Sequence, residues 1–195
     1  MNFLKNLYIM NTTMVSIFCA IILSLIFAIL LLWFSGAPPL ETGKLLIEGS
    51  LGSPTRISNT SMVWVPLALA SASLIVTFAA GLWNIGIEGQ IIVGAIFASF
   101  VAREFDAPPP LLWGTMIMAG ALGGMLWGGL TGILRIKGKV NEIFGGLGLT
   151  FVATGIVIYL VIGPWKRAGI ASTSGTAPFD SKAWFPTIMD LRISP

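Results

Sequence analysis

The spacing of charges constrains this chain more than any other feature. Eleven basic and eight acidic side chains are spread over 195 residues, and they cluster, leaving long neutral stretches between them. From Met14 to Phe34 there are 21 residues without a charge, close to the ~20 apolar residues that cross a bilayer as a helix. Between Arg56 and Arg103 lie 46 residues whose only charge is Glu88, enough for two passages joined by a tight break near Gly81–Gly89. Ala107–Leu134 and Ile143–Trp165 are further neutral runs. With 55% hydrophobic and 10% charged residues, the surface of such a chain suits lipid rather than water. The expectation is an all-α, polytopic transmembrane helix bundle of about five spans, forming one domain over residues 1–195.

Two segments read as extramembrane. Ser35–Ser61 carries three prolines, four glycines and four charges, the composition of a loop with room for a short surface helix. Pro164–Pro195 holds four prolines with Asp180, Lys182, Asp190 and Arg192. The first apolar run follows Lys5, as in a signal peptide, but it exceeds the ~7–15 residues of a cleavable core and reads as an anchor. Short loops set the orientation. Arg135, Lys137 and Lys139 lie between the fourth and fifth runs, whereas Arg103 stands alone between the third and fourth. The positive-inside rule puts Arg135–Glu142 in the cytoplasm, the N-terminus with it, and residues 35–61 and 164–195 outside. Lys166 and Arg167 run against that assignment.

Composition also excludes chemistry. The cations form no basic stripe, which argues against nucleic acid. Cys19 is the one cysteine and histidine is absent, so no intrachain disulfide, histidine-based triad or common zinc site is expected. Neither a catalytic residue nor a metal or other cofactor is expected.

Two glycine patterns stand out. Gly120, Gly124, Gly128 and Gly132 recur every four residues, a ladder that lets another helix backbone approach closely. The stretch Gly81-Leu82-Trp83-Asn84-Ile85-Gly86-Ile87-Glu88-Gly89-Gln90 is polar within apolar sequence. One reading is an interfacial hairpin, with Asn84 capping a helix from Ile85 and Glu88 favoured by the helix dipole. The other is a broken helix lining a polar path, because a carboxylate in the membrane usually faces a cavity or a partner.

The run Trp83-Asn84-Ile85-Gly86-Ile87-Glu88-Gly89-Gln90-Ile91-Ile92-Val93-Gly94-Ala95 resembles the N-I-G-x-E-G-Q-x-x-x-G-A signature of bacterial ABC-transporter permeases that import nucleosides and simple sugars. Gly129–Leu134 followed by Lys139-Val140-Asn141-Glu142-Ile143 is similar to that family's G-x-L-K and V-N-E-V/I segment. Together the two stretches cover the order of spans two to five. The resemblance implies a multi-pass permease subunit of the bacterial inner membrane, of which this chain is an N-terminal portion. It would pair with a second permease subunit, bind cytoplasmic ATP-binding subunits and receive solute from an extracytoplasmic solute-binding protein. ATP hydrolysis would belong to a separate chain, since no Gly-x-x-x-x-Gly-Lys-Ser/Thr loop is present.

On this reading transport proceeds by alternating access. Asn84, Glu88 and Gln90 line the path or fix the helix break, Gly86 and Gly89 supply tight backbone, and Glu88 accepts backbone hydrogen bonds. Arg135, Lys137, Lys139, Asn141 and Glu142 form the cytoplasmic loop, within reach of an ATPase, although topology alone accounts for its cations. The alternatives are a branched-chain amino-acid permease subunit and, from another class, a membrane channel or scaffold.

Overall fold

The computed structural model describes the backbone of residues 2–169 and 175–186, and side chains within those ranges from Met14 onward. Residues 170–174 and 187–195 of the expected tail, with Asp190 and Arg192, lie outside the described residues. The chain divides into two units, residues 1–60 and 61–195.

The first unit holds α1 (Asn2–Phe34) and α2 (Pro39–Leu51). Gly36, in the left-handed region at φ 76°, stops α1, and the Ala37 N–H donates to the Leu32 carbonyl at 3.0 Å. Proline at the first position of α2 suits a helix start, where its missing N–H costs nothing. At 13 residues, about 1.5 Å of rise each, α2 is too short to cross a ~30 Å hydrocarbon core. It is the short helix for which the 35–61 segment left room. The rest of that segment is more helical than expected, because α3 (Pro54–Ala79) begins at Pro54. Arg56 donates to the Glu48 carbonyl at 2.6 Å and Thr60 to that of Ser50 at 2.9 Å, tying the start of α3 to the end of α2.

In the second unit, the remainder of α3 is followed by α4 (Ile87–Glu104), α5 (Pro109–Ile136) and α6 (Glu142–Ile162). Among the described residues, four helical stretches are long and apolar enough to cross a membrane: Met14–Phe34, α3, α5 and α6. The third expected span, α4, is different. It has 18 residues and carries Glu88, Arg103 and Glu104. Its packing explains how it manages with less apolar surface: α5 and α6 both lie against α4, and Gly89, Val93, Gly94 and Ala102 are buried along it. The outward faces of the other helices stay apolar, with Phe18, Trp64, Ile75 and Phe151 each at least 65% exposed. Exposed apolar surface on this scale marks contact with lipid.

Glycine sets how closely α4 and α5 approach. A Cβ on Gly94 would lie 2.9 Å from the Gly120 carbonyl oxygen, and one on Gly123 would lie 2.8 Å from the Phe97 ring. Gly120, Gly124 and Gly128 of the ladder all face α4, whereas Gly132 meets nothing within 4 Å. Several threonine hydroxyls of α5 and α6 are satisfied by their own helix: Thr131 donates to the Trp127 carbonyl, Thr150 to Gly146 and Thr154 to Thr150.

At the end of the bundle where α4 stops and α5 begins, the chain after α6 folds back. Arg103 donates to the Ala177 carbonyl and the Thr176 hydroxyl, each at 3.0 Å. Its guanidinium lies 5.1 Å from the Trp165 ring centre and 4.6 Å from that of Phe179. Lys182 pairs with Asp106 at 2.8 Å, and Trp113 donates to the Lys182 carbonyl and stacks on Phe185. Beneath these contacts Ala183 is buried with Ala102, Ala107 and Leu112.

Candidate functional site: a polar cavity at the helix break

The other end of the second unit gathers the polar residues. α3 ends at Ala79, and Gly81 takes a left-handed φ of 72°. Its N–H donates to the Phe78 carbonyl and that of Leu82 to Thr77, both at 2.9 Å, which closes the last turn. α4 starts at Ile87, two residues later than the capping reading requires. Gly86 is the N-cap residue and no side chain caps the helix, so Asn84 does not play that part. Its carboxamide instead pairs with that of Gln90. Gln90 Nε2 donates to Asn84 Oδ1 at 3.0 Å, and Asn84 Nδ2 donates to Gln90 Oε1 at 3.4 Å.

Gly86 and Gly89 have a packing reason to be glycine. A Cβ on Gly86 would lie 2.9 Å from Gly146 Cα, and one on Gly89 would lie 3.0 Å from Thr150 Cα and Trp127 Nε1. They seat the start of α4 against α6, and Gly89 fits a notch between α5 and α6. Glu88 occupies the first turn of α4, exposed, where the helix dipole favours a carboxylate. Among the described residues it accepts no hydrogen bond and joins no ion pair, so the backbone bonds expected of it are not made.

The α5–α6 turn shares this end of the bundle. Asn141 caps α6, accepting from the Ile143 N–H at 2.9 Å. Arg135 Nε lies 3.7 Å from Glu142 Oε2, a loose ion pair, and Arg135 Nη1 is shut off from solvent without a hydrogen-bond partner among the described residues. Lys137 and Lys139 are exposed, and Lys139 takes a left-handed φ of 53°.

Between break and turn lies a cavity of about 300 Å³, lined by Asn84, Gln90, Arg135 and Glu142 together with Ser73, Thr77 and Thr131. Leu82, Trp83, Gly128 and Gly132 complete the wall. Of the residues expected at the site, the structure therefore brings Asn84, Gln90, Arg135, Glu142, Gly128 and Gly132 together. Glu88, Lys137, Lys139 and Asn141 are not part of the lining. Among the described residues no three Cys, Asp or Glu side chains gather in a way that would hold a metal ion.

Sequence reasoning missed Ser73, Thr77 and Thr131, because hydroxyls are common in membrane helices and only the fold shows which of them converge. It also missed Arg103 as a tether, along with Gly94, Gly123 and the Gly146–Thr150 pair. The last had a readable signal, two small residues four apart.

Residues 56–189 match the family described as branched-chain amino acid transport system / permease component. The chain is 33% identical over 153 residues to the glucose ABC transporter permease protein TsgB13 of Haloferax volcanii, covering 78% of this chain and 40% of that protein. It is 30% identical over 142 residues to the guanosine ABC transporter permease protein NupP of Bacillus subtilis, covering 73% and 41%. With the nucleoside ABC transporter permease protein NupB of Lactococcus lactis it shares 32% identity over 126 residues, 64% of this chain and 34% of the relative. The matches thus extend over roughly two-fifths of those relatives' length or less. No solved structure gives a significant match. The apolar helices, the glycine-seated break and these matches agree, and the chain belongs to the ABC-transporter permease family of the branched-chain amino-acid type.

Proposed function

We propose that this chain forms part of the membrane-spanning permease of an ATP-driven importer for a small, uncharged polar solute, a nucleoside or a simple sugar. The observation that carries the reading is the cavity at the break, where carboxamides, hydroxyls and one ion pair converge at one end of an otherwise apolar bundle. Polar groups in a membrane domain are costly unless they serve a path or a partner. The names of the relatives, which concern glucose, guanosine and nucleosides, agree with a neutral polar cargo.

In this proposal the partners are a second permease subunit, cytoplasmic ATP-binding subunits that hydrolyse ATP, and an extracytoplasmic solute-binding protein. The membrane is the bacterial inner membrane. The α5–α6 turn and the N-terminus face the cytoplasm, and residues 35–61 and 164–195 lie outside. Branched-chain amino-acid import is the second reading, favoured by the description of the matching family.

Uptake of labelled guanosine, glucose and leucine by cells expressing the full transporter tests the cargo. Guanosine or glucose uptake that depends on the permease is expected; leucine uptake alone would replace the proposal with the second reading. Sidedness is checked separately. After Cys19→Ser, a single cysteine at Lys137 should react with an impermeant maleimide only once cells are opened, and one at Asp180 in intact spheroplasts. The reverse pattern inverts the topology.

A further inference from the structure

We infer that the cavity at the α3–α4 break is a solute-contact site in which Asn84 and Gln90 read a ring solute bearing an adjacent hydrogen-bond donor and acceptor, the edge of a nucleoside base. The inference rests on the permease reading and deepens it.

Four observations support it. First, the Asn84–Gln90 pair is reciprocal, each carboxamide donating to and accepting from the other, yet the backbone around it does not depend on it. Gly86 is the N-cap residue, and Gly81 closes α3 with backbone bonds alone. A lactam or amidine edge presents the same adjacent donor and acceptor, so it can take the place of one carboxamide opposite the other, which keeps two bonds while the displaced carboxamide turns to water or to another part of the solute. That exchange lowers the cost of parting the pair, whereas a solute without such an edge leaves both half-buried amides unpaired.

Second, the charges in the wall cancel. Arg135 and Glu142 pair with each other, Glu88 is not in the lining, and no second acid or cation is. A zwitterionic amino acid would find no free counter-charge for either end, while a neutral solute needs none. Third, Arg135 Nη1 is a buried donor without a partner among the described residues, available to a carbonyl or hydroxyl oxygen. Buried donors of this kind call for a specific explanation. Fourth, Trp83 lines the cavity, 61% exposed as a residue although its ring centre lies 5.6 Å from that of Phe78, which leaves ring surface on which a planar base can stack. The volume of about 300 Å³ lies at the lower end of the ~300–1,000 Å³ typical of small-molecule pockets. Gly128 lies under Gln90, and a Cβ there would come within 3.2 Å of Nε2, so Gly128→Ala should turn the amide.

The test is direct binding to this chain in lipid nanodiscs, without a solute-binding protein, followed by tryptophan emission during titration with guanosine, adenosine and glucose. Guanosine presents a lactam edge and adenosine an amidine edge, each an adjacent donor and acceptor, whereas glucose has neither. The wild type should bind both nucleosides more tightly than glucose, with a signal lost in Trp83→Phe, and Gln90→Met should weaken nucleoside binding about tenfold or more. Asn84→Gln combined with Gln90→Asn keeps a carboxamide pair while moving both edges, and controls for a role in folding alone. Persistent weakening in that double variant supports the inference; restored wild-type affinity means the pair only staples the break and overturns it. Equal affinity for all three probes, or no binding by a wild type whose full transporter still takes up solute, also overturns the inference and leaves the permease reading standing. Loss of all uptake by the wild-type transporter overturns both.

Discussion

Gly86 and Gly146 show how little room single residues have at the root of α4. A Cβ on either would lie within 3 Å of backbone of the other, at Cα of Gly146 or the amide nitrogen of Gly86, and backbone cannot swing aside as a side chain can. Overpacking of this kind typically costs about 1–3 kcal/mol. Gly86→Ala should therefore lower the thermal midpoint of the detergent-solubilised protein, whereas Gly132→Ala, with nothing within 4 Å, should leave it unchanged. Fluorescence-detected size-exclusion after heating compares them, and equal midpoints would mean that the α4–α6 approach is not held at these atoms.

At the scale of elements, α4 depends on its neighbours more than its sequence suggests. Three charges in 18 residues make it a poor lipid-facing helix, and burial between α5 and α6 removes much of that demand. Its last turn is held by Arg103, whose planar fork makes two charge-assisted hydrogen bonds while lying near two aromatic rings. Bonds to charged groups contribute about 1.5–3 kcal/mol each, and Arg–aromatic contacts about 0.5–1 or more. Arg103→Gln should loosen the segment after α6. Trypsin cleavage after Lys166 and Arg167 should then accelerate by about tenfold or more, read by mass spectrometry of the released peptides. An unchanged rate would show that Asp106–Lys182 and the Trp113–Phe185 stack suffice.

For the whole molecule, the state of this folded-back segment should follow pH. The Asp180 carboxyl is held below its usual range, first by the Lys182 backbone N–H that it accepts. A depressed acid stabilises the fold above its unfolded pKa, and that contribution is lost as pH falls through the folded value. The Lys182 ammonium is held above its usual range, first by its hydrogen bond to Asp106. Its contribution is complete below the unfolded lysine value and is lost as pH rises through the folded one. The segment should therefore be best protected from protease between the carboxylate range and the lysine range, roughly pH 4 to 10, and less so on either side. A pH-insensitive protease profiled across this range checks it, and a flat profile would remove these two groups from the account.

Much of this architecture was legible from the one-dimensional spacing of charges, because a charge in hydrocarbon is expensive wherever the chain goes. Phe34 ends α1 and also the apolar run, ahead of Ser35 and Gly36; Arg135 and Glu142 bracket the α5–α6 turn, and the break falls between Ala79 and Ile87. What the sequence could not determine was which polar groups would meet. One of the two readings makes Asn84 a cap, because Asn before an apolar run often is one, but its partner is across the break on α4. The glycine ladder was read as one seam, yet residues four apart turn about 40° per step on a 3.6-residue helix. By Gly132 the ladder has rotated some 120° from Gly120 and off α4, while Gly123, outside the pattern, packs on Phe97. Sequence alone determined that this chain lives in lipid and where it turns, since those depend on local solvation. Only the tertiary structure decided that Asn84, Gln90, Thr77, Thr131, Arg135 and Glu142 share one cavity, because that depends on how three helices cross.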